Sequence, residues 1–168
     1  MSADAWTRYQ RRRQMFSIGE DFWIENDRGE AVYKVDGKVL RIRETFVLED
    51  HNGAPLVQIE AKLIALQPTM NIERGGQVYA TVKKALFTLF RQHFSIEVHG
   101  GPLMQAPGDI LNHEYQIDSN GQVVATISKR WFTIRETYGI AIAPGQDEML
   151  LLAAAVWIDE LSERNRER

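Results

Sequence analysis

A glycine followed by apolar residues three and six positions later recurs at a regular interval along this chain. The four clearest copies begin at Gly29, Gly53, Gly76 and Gly121, which lie 24, 23 and 45 residues apart. The last interval is close to two units, and Gly100 or Gly101 stands where the skipped copy is expected. Gly145 falls 24 residues after Gly121, in phase with the repeat. A repeat of this length indicates one supersecondary unit used several times, which constrains the fold more than any other feature.

The sequence around these glycines is typical of β-hairpins. Residues 26–29, 50–53 and 118–121 are rich in Asp, Asn and Gly, which favour tight turns. Short β-branched and aromatic runs flank the turns, as expected of strands. A unit of about 23 residues accommodates two strands and two short connections, so six units predict about twelve strands in up-and-down order. An open sheet of that size leaves two bare edges, so the sequence favours closure into an antiparallel barrel.

The C-terminal region predicts a helix that fills this barrel. Residues 147–161 begin with two acids, as the first turn of a helix favours, and residues 149–158 are apolar without interruption. A helix that is apolar on every face is buried on every face. We therefore predict a mainly β single domain over residues 1–168, a closed barrel of about twelve strands around a buried C-terminal helix. An open sheet with this helix packed on one side is the alternative.

The composition excludes several classes of function. The chain has no cysteine, which removes disulfides, thiolate catalysis and thiolate metal sites. Its 20 basic and 23 acidic residues give a net charge of −3, so no overall positive field attracts nucleic acid. Its longest apolar run, residues 149–158, is half the length of about 20 that a transmembrane helix needs. We therefore expect a cytoplasmic protein with no transmembrane segment and no nucleic-acid partner.

Two segments of the chain resemble one protein family. Residues 9–38 contain the sequences RQMFSIG at 13–19 and FWI at 22–24, and GIAIAPGQD occupies 139–147 before the apolar helix. Together they resemble the LURP-one-related family over nearly the whole chain, and its short stand-alone bacterial members in particular. The resemblance implies the fold of the tubby C-terminal domain, shared more distantly with phospholipid scramblases, which is a twelve-stranded barrel around a hydrophobic C-terminal helix. It implies no defined activity.

The sequence contains no arrangement of residues that is characteristic of an active site. The four histidines, His51, His93, His99 and His113, lack the spacing of paired metal ligands on one face of a helix or strand. Motifs for a serine nucleophile elbow and for phosphate-binding glycine loops are missing as well. We therefore predict a non-catalytic protein that uses no metal and no cofactor.

A basic N-terminal segment is the first candidate for ligand binding. Four arginines and two aromatic residues share residues 1–14: Arg8, Arg11, Arg12, Arg13, Trp6 and Tyr9. Arginines attract anionic phospholipid headgroups, and aromatic rings favour the headgroup layer. The resemblance to tubby proteins, which bind phosphoinositides, also supports a lipid ligand. We therefore predict peripheral contact with anionic phospholipid at the inner face of the membrane.

Two further interpretations accompany this prediction. Lys62, Lys83 and Lys84 are the next candidates for lipid contact, on the wall of the barrel. Residues 1–14 are interpreted as a leader that precedes the first hairpin, so that their arginines can be replaced without loss of stability. A solvated leader whose arginines pair only with local acids is the alternative.

A scaffold domain that binds a protein and no lipid is the alternative function. Residues 100–111 interrupt the hairpin rhythm with two prolines and three glycines. As a loop, this segment would expose Leu103 and Met104 and would suit a protein partner. The same segment is compatible with a degenerate strand pair that closes the barrel.

Overall fold

The fold consists of antiparallel strands followed by one helix. The computed structural model describes residues 6–12, 22–40, 43–64, 67–84, 93–109, 114–128 and 138–166. Within them thirteen strands precede the helix α1: β1 (Thr7–Arg12), β2 (Phe22–Asn26), β3 (Ala31–Leu40), β4 (Arg43–Asp50), β5 (Pro55–Ile64), β6 (Gln67–Arg74), β7 (Gln77–Lys84), β8 (Phe94–Val98), β9 (Leu103–Ala106), β10 (Gly108–Asp109), β11 (Glu114–Ser119), β12 (Gln122–Ser128), β13 (Tyr138–Ile142) and α1 (Glu148–Arg166). The predicted mainly β fold class is confirmed.

The strands form one closed sheet. Strands β1 to β9 pair in chain order, β11 to β13 do the same, and β13 lies beside β1. Strand β9 also pairs with β11, which closes the circle. Gln105 lies opposite Asp118 and Gly108 lies opposite Tyr115 in one continuous antiparallel register, so β9 and β10 are two halves of one wall strand, separated at Pro107. The wall therefore has twelve positions, as predicted.

The repeated glycines form the turns at one end of the barrel, which we call the glycine-turn end. In the turn at 26–30, the Asn26 side-chain oxygen accepts hydrogen bonds from the backbone amides of Arg28 and Glu30, both at 3.0 Å. Asp50 makes the same pair of contacts in the turn at 50–54. Gly29 has a φ of 77°, a left-handed conformation that glycine adopts without strain. The predicted hairpin unit is therefore confirmed.

The hairpins share a second repeat that the sequence analysis did not detect. The strand register shifts by one residue at Ile24/Glu25, Leu48/Glu49, Ile72/Glu73 and Ile117/Asp118. Each of these β-bulges falls between a buried aliphatic residue and the acid that follows it. Because a bulge bends its strand and increases the local twist, its repetition helps the sheet to curve into a closed barrel.

The helix α1 lies inside the barrel. Residues 150–158 are each at most 4% exposed, and they belong to one core with the inward faces of the strands. Asp147 caps the helix, because its side-chain oxygen accepts a hydrogen bond from the Leu150 amide at 3.2 Å. The predicted buried helix is confirmed, although it ends at Arg166 and not at residue 161.

The N-terminal segment differs from the predicted leader, because part of it is a strand of the wall. Strand β1 pairs with β13 on one side, where Tyr9 lies opposite Ile140, and with β2 on the other, where Arg12 lies opposite Trp23. It therefore supplies one of the twelve wall strands, while the turn at Gly145 leads into α1 and starts no hairpin. Residues 1–5 and 13–14 of the predicted leader lie outside the described residues. Replacing the arginines of a wall strand is not expected to leave stability untouched.

The segment 100–111 also differs from a partner-binding loop. Its residues form β9 and β10, so the interpretation as strand structure that closes the barrel is the correct one. Alternation along β9 buries Met104 in the core and leaves Leu103 53% exposed on the outside. Residues 110 and 111 lie outside the described residues.

Candidate binding surface on the barrel wall

The three arginines of β1, which are Arg8, Arg11 and Arg12, do not share one face of the strand. In β1 the side chain of Tyr9 lies in the core, and the neighbouring Arg8 is exposed on the outside. The register pairs Arg11 with Ile24, a core residue, and Arg12 with Trp23. The side chains of Arg11 and Arg12 lie outside the described part, as does the whole of Arg13. Strand alternation therefore gives Arg8 and Arg12 register positions on one face of β1 and Arg11 a position on the other.

Adjacent strands extend this outer face with an aromatic residue between two basic ones. Trp23 of β2 lies opposite Arg12 of β1 and opposite Lys34 of β3. Directly opposed residues of an antiparallel pair have Cβ atoms about 5 Å apart, so the three positions are contiguous. Trp23 and Lys34 are partly exposed, and Trp6, next to β1, is 36% exposed. We call the set Trp6, Arg8, Arg12, Trp23 and Lys34 the β1–β3 surface.

Acidic residues border the β1–β3 surface. The Gln10 amide donates a 2.6 Å hydrogen bond to a carboxylate oxygen of Glu25, which keeps that carboxylate on the outer face of β2. On the next strand, Glu49 lies opposite Lys34. Two described bases, Arg8 and Lys34, therefore lie beside these two acids, and the register adds the position of Arg12. Sequence reasoning missed Lys34 and the role of Trp23 because the two are neighbours only through the register of β2 and β3.

Lys62 and Lys83 belong to a different part of the wall. Thr69 of β6 lies opposite Lys62 of β5 on one side and opposite Lys83 of β7 on the other. The Lys83 amine lies 3.2 Å from a carboxylate oxygen of Glu97, and the side chain of Lys62 is outside the described part. With about 4.8 Å between strands, β5 lies about 19 Å from β1 along the wall. The structure therefore does not bring these lysines together with the arginines.

Lys84 lies on the inner face of the wall, in contrast to Lys83. It follows Ala80 and Val82 at two-residue spacing, and both of these side chains are fully buried in the core. Its cross-strand partner is Phe94, which is also fully buried. Burial lowers the pKa of the Lys84 amine, because removal of water disfavours the charged form. Lys84 therefore does not lie on the outer face of the wall with Lys83.

A polar cluster at the glycine-turn end holds the first turn of the helix. The Arg74 guanidinium lies 3.4 Å from a carboxylate oxygen of Asp147 and 4.6 Å from the centre of the Tyr79 ring. Burial, followed by the negative charge of Asp147, raises the pKa of Tyr79 to about 12. Because Asp147 also caps α1, this cluster fixes where the helix enters the barrel.

Tyr9 connects the wall strand β1 to the same end of the helix. Its hydroxyl donates a 2.7 Å hydrogen bond to a carboxylate oxygen of Glu148, and its ring centre lies 5.8 Å from that of Tyr33. Burial raises the pKa of the Tyr9 hydroxyl well above its usual range, and the hydrogen bond to Glu148 adds to this effect. Tyr9 therefore anchors β1 to the core, whereas the preceding residue, Arg8, lies on the outer face.

The raised pKa of Tyr9 predicts a loss of stability in alkali. Since the folded pKa lies above the unfolded value of about 10, the contribution of Tyr9 is complete below pH 10 and is lost as pH rises beyond it. Tyr9→Phe removes this titration, so the free energy of unfolding should fall less steeply above pH 10. At neutral pH the variant should be about 1 kcal/mol less stable, because one hydrogen bond is lost. Urea titrations from pH 8 to 11 measure both effects, and parallel curves for the two proteins would contradict the assignment.

Metal binding and membrane spanning are two further properties that the described residues allow to be assessed. Among the described residues, no three metal-ligating side chains lie close enough together to hold a metal ion. His93, one of the four histidines, contacts the Gln105 side chain through its Nε2 atom. None of the helical residues in the described ranges forms a helix long and apolar enough to cross a membrane.

The closed antiparallel barrel around a C-terminal helix defines the class of protein. The model of the LURP-one-related family matches residues 7–159, and the chain belongs to this family. It is 28% identical over 148 residues to the uncharacterized protein YxjI of Bacillus subtilis (strain 168), a match that covers 88% of this chain and 89% of that protein. An X-ray structure of a protein from Arabidopsis thaliana has the same fold, with a TM-score of 0.71, 16% identity, and coverage of 94% of this chain and 91% of that one.

Proposed function

We propose that the protein is a non-catalytic module that adsorbs on anionic phospholipid surfaces through its β1–β3 surface. The observation that carries this proposal is the row of register partners Arg12, Trp23 and Lys34 across three adjacent strands, in which Trp23 and Lys34 are partly exposed. Guanidinium and ammonium groups bind phosphate oxygens, and an indole ring suits the layer between headgroups and acyl chains. No other stretch of the described wall places an aromatic residue directly between two basic positions.

The strength of this contact follows from its charges. A basic residue close to an anionic membrane contributes about 1 kcal/mol, so Arg8, Arg12 and Lys34 together give at most about 3 kcal/mol. Glu25 and Glu49 reduce this attraction. The expected contact is weak and reversible, and the protein would be cytoplasmic with a fraction bound at the inner face of the membrane.

Vesicle co-sedimentation tests the proposal. The protein should bind vesicles of phosphatidylcholine that contain phosphatidylglycerol and should not bind phosphatidylcholine alone. Binding should weaken from low salt to 1 M salt, because the Debye length falls to about 3 Å. The double substitution of Arg8 and Lys34 by Gln should lower the binding constant about thirtyfold, which corresponds to about 1 kcal/mol for each lost base.

Lys83→Gln is the matched control, since it removes one positive charge from a distant part of the outer wall. It should retain binding. Thermal unfolding of each variant distinguishes a lost contact from a loss of folding, because Arg8 belongs to a wall strand. If Lys83→Gln lowered the binding constant as much as the double substitution, the contact with the vesicle would lie elsewhere on the wall. Failure of the parent protein to bind anionic vesicles at low salt would reject the lipid ligand.

A protein partner without lipid is the second candidate function, and the exposure of Leu103 favours it. This side chain is 53% exposed on β9, at the position where the barrel closes. A protein partner that covered this strand would remove the exposed apolar surface of Leu103 from water. Under this alternative the protein does not bind anionic vesicles. Leu103→Ser then weakens binding of the protein partner without changing the free energy of unfolding.

A further inference from the structure

We propose that Asn120 is a site of spontaneous covalent modification, at which the side-chain amide is converted into isoaspartate or aspartate beside the strand pairing that closes the barrel. This site is separate from the β1–β3 surface and does not depend on lipid binding. The sequence contains two Asn–Gly pairs, Asn52–Gly53 and Asn120–Gly121, and both lie in exposed turns at the glycine-turn end. The hydrogen bonds of the two turns distinguish them.

The reaction needs water and no oxidant, reductant or partner protein. The backbone nitrogen of the glycine loses its proton and attacks the side-chain carbonyl carbon of the asparagine. The side-chain nitrogen takes up a proton and leaves as ammonia, and a cyclic imide remains. Water then opens the imide: attack at the main-chain carbonyl carbon gives isoaspartate, and attack at the side-chain carbonyl carbon gives aspartate. A glycine after the asparagine favours the first step, because it has no Cβ to obstruct its nitrogen.

In the turn at 50–54 the fold restrains the attacking nitrogen. The Gly53 amide donates a hydrogen bond to the Asp50 carbonyl oxygen at 3.0 Å. The Asp50 carboxylate accepts further bonds from the amides on either side, those of Asn52 and Ala54, both at 2.9 Å. A hydrogen bond from the neutral amide and a nearby negative charge both oppose the loss of its proton. Folding is therefore expected to protect Asn52.

The turn at 118–121 does not restrain the corresponding nitrogen. Among the hydrogen bonds of the described residues, none joins the Gly121 amide to an acceptor and none involves the Asn120 side chain. Asp118, the acid at the position equivalent to Asp50, accepts a hydrogen bond from the Gln116 side chain at 3.1 Å. Because Asn120 and Gly121 are both exposed, the asparagine side chain is free to rotate towards the amide that attacks it.

The product alters a turn that has no spare length. Asn120 and Gly121, with φ of 52° and 79°, are the two residues between Ser119 and Gln122, which lie opposite one another in β11 and β12. Two-residue turns of this kind fix the register of their hairpin. Isoaspartate adds one carbon atom to the main chain, so the turn no longer fits that register. Ser119 also lies opposite Met104 of β9, in the pairing that closes the barrel, so the modification weakens the closure.

Peptide mapping by fragment-ion mass spectrometry tests the site on the intact protein. The protein is incubated at pH 8 with and without guanidinium chloride, and the rate at each asparagine is divided by its rate in the unfolded chain. This ratio should be several times lower for Asn52 than for Asn120, because the fold protects only Asn52. Asn120→Gly should remove the reaction at this turn and leave the rate at Asn52 unchanged, since glycine adopts the left-handed φ without strain.

Urea unfolding tests the consequence for the barrel. Parent protein incubated until most of Asn120 has reacted should unfold at a lower urea concentration than fresh protein. Asn120→Gly incubated for the same time should keep its midpoint. Asn120→Asp is the matched variant, because it carries the charge of the product without the extra main-chain atom, and its midpoint should stay close to that of the fresh parent.

Two results would overturn the proposal. One is a fold that slows Asn120 as much as Asn52, which includes an Asn120 that does not react in the folded protein while the unfolded chain does. The other is an incubated parent whose urea midpoint is no lower than that of Asn120→Asp, because the longer main chain would then leave the closing turn undisturbed.

Discussion

Replacing Ala154 by glutamate is expected to prevent the protein from folding. Ala154 lies in the middle of the buried part of α1, with no exposed surface and with the barrel wall around it. A carboxylate at this position loses its water and gains no partner, at a cost of several kcal/mol. The free energy of unfolding of a domain is about 5–15 kcal/mol, so this cost takes most or all of it. Circular dichroism and the yield of soluble protein measure the effect.

Ala54→Glu is the matched control for this substitution. Ala54 is exposed in the turn at 50–54, where its backbone amide, and not its side chain, bonds to Asp50. The control protein should fold with a free energy of unfolding within about 0.5 kcal/mol of the parent. A soluble, cooperatively unfolding Ala154→Glu protein would mean that α1 has a free face, as in the open-sheet alternative.

Truncating Trp157 to alanine is expected to cost about 3–5 kcal/mol of stability. This side chain is 4% exposed, and its ring packs edge-on against Phe94 of β8. The substitution leaves a cavity between the helix and the wall, and the rigid strands around it cannot collapse to fill it. Urea denaturation followed by circular dichroism measures the loss.

Trp6→Ala serves as the control for this truncation, because Trp6 lies on the outside of the barrel and is 36% exposed. Its removal should change the free energy of unfolding by less than about 1 kcal/mol. If Trp157→Ala lowered the free energy of unfolding by no more than Trp6→Ala does, the Trp157 side chain would not be packed between the helix and the inner wall.

The hairpins and the helix could be predicted because their signals are local. Turn residues at Asn26, Asp50 and Gly121 determine where the chain reverses, and the apolar run 149–158 has no polar face to expose. Closure of the sheet into a barrel could be predicted because an open sheet leaves two bare edges. Each of these inferences needs only residues that are close in sequence or a general property of sheets.

Strand β1 could not be predicted because one of its two partner strands is distant in sequence. Its residues are mostly polar, and Tyr9 alone contributes a core side chain within its described part. Besides the ladder with β2, β1 pairs with β13, about 130 residues away, where Tyr9 lies opposite Ile140. Long-range pairing of this kind overrides local sequence preference.

The candidate site was predicted less well than the fold, and strand alternation explains why. Consecutive residues such as Lys83 and Lys84 occupy opposite faces of one strand, so a run of bases in the sequence is not a patch on the surface. Conversely, Trp23 and Lys34 are eleven positions apart in the sequence and lie directly opposite one another. Only the register of neighbouring strands reveals which charges face the same side.

Hydrogen exchange of individual backbone amides tests most directly whether β1 is part of a barrel closed around α1. The amides of Tyr9 and Gln10, between β13 and β2, and that of Leu152, inside the barrel, should all exchange only through global unfolding. Their exchange free energies should therefore agree with one another and with the free energy of unfolding measured in urea. Rapid exchange at Tyr9 and Gln10 alongside a protected Leu152 would contradict the account, because it would make residues 7–12 a leader outside the wall.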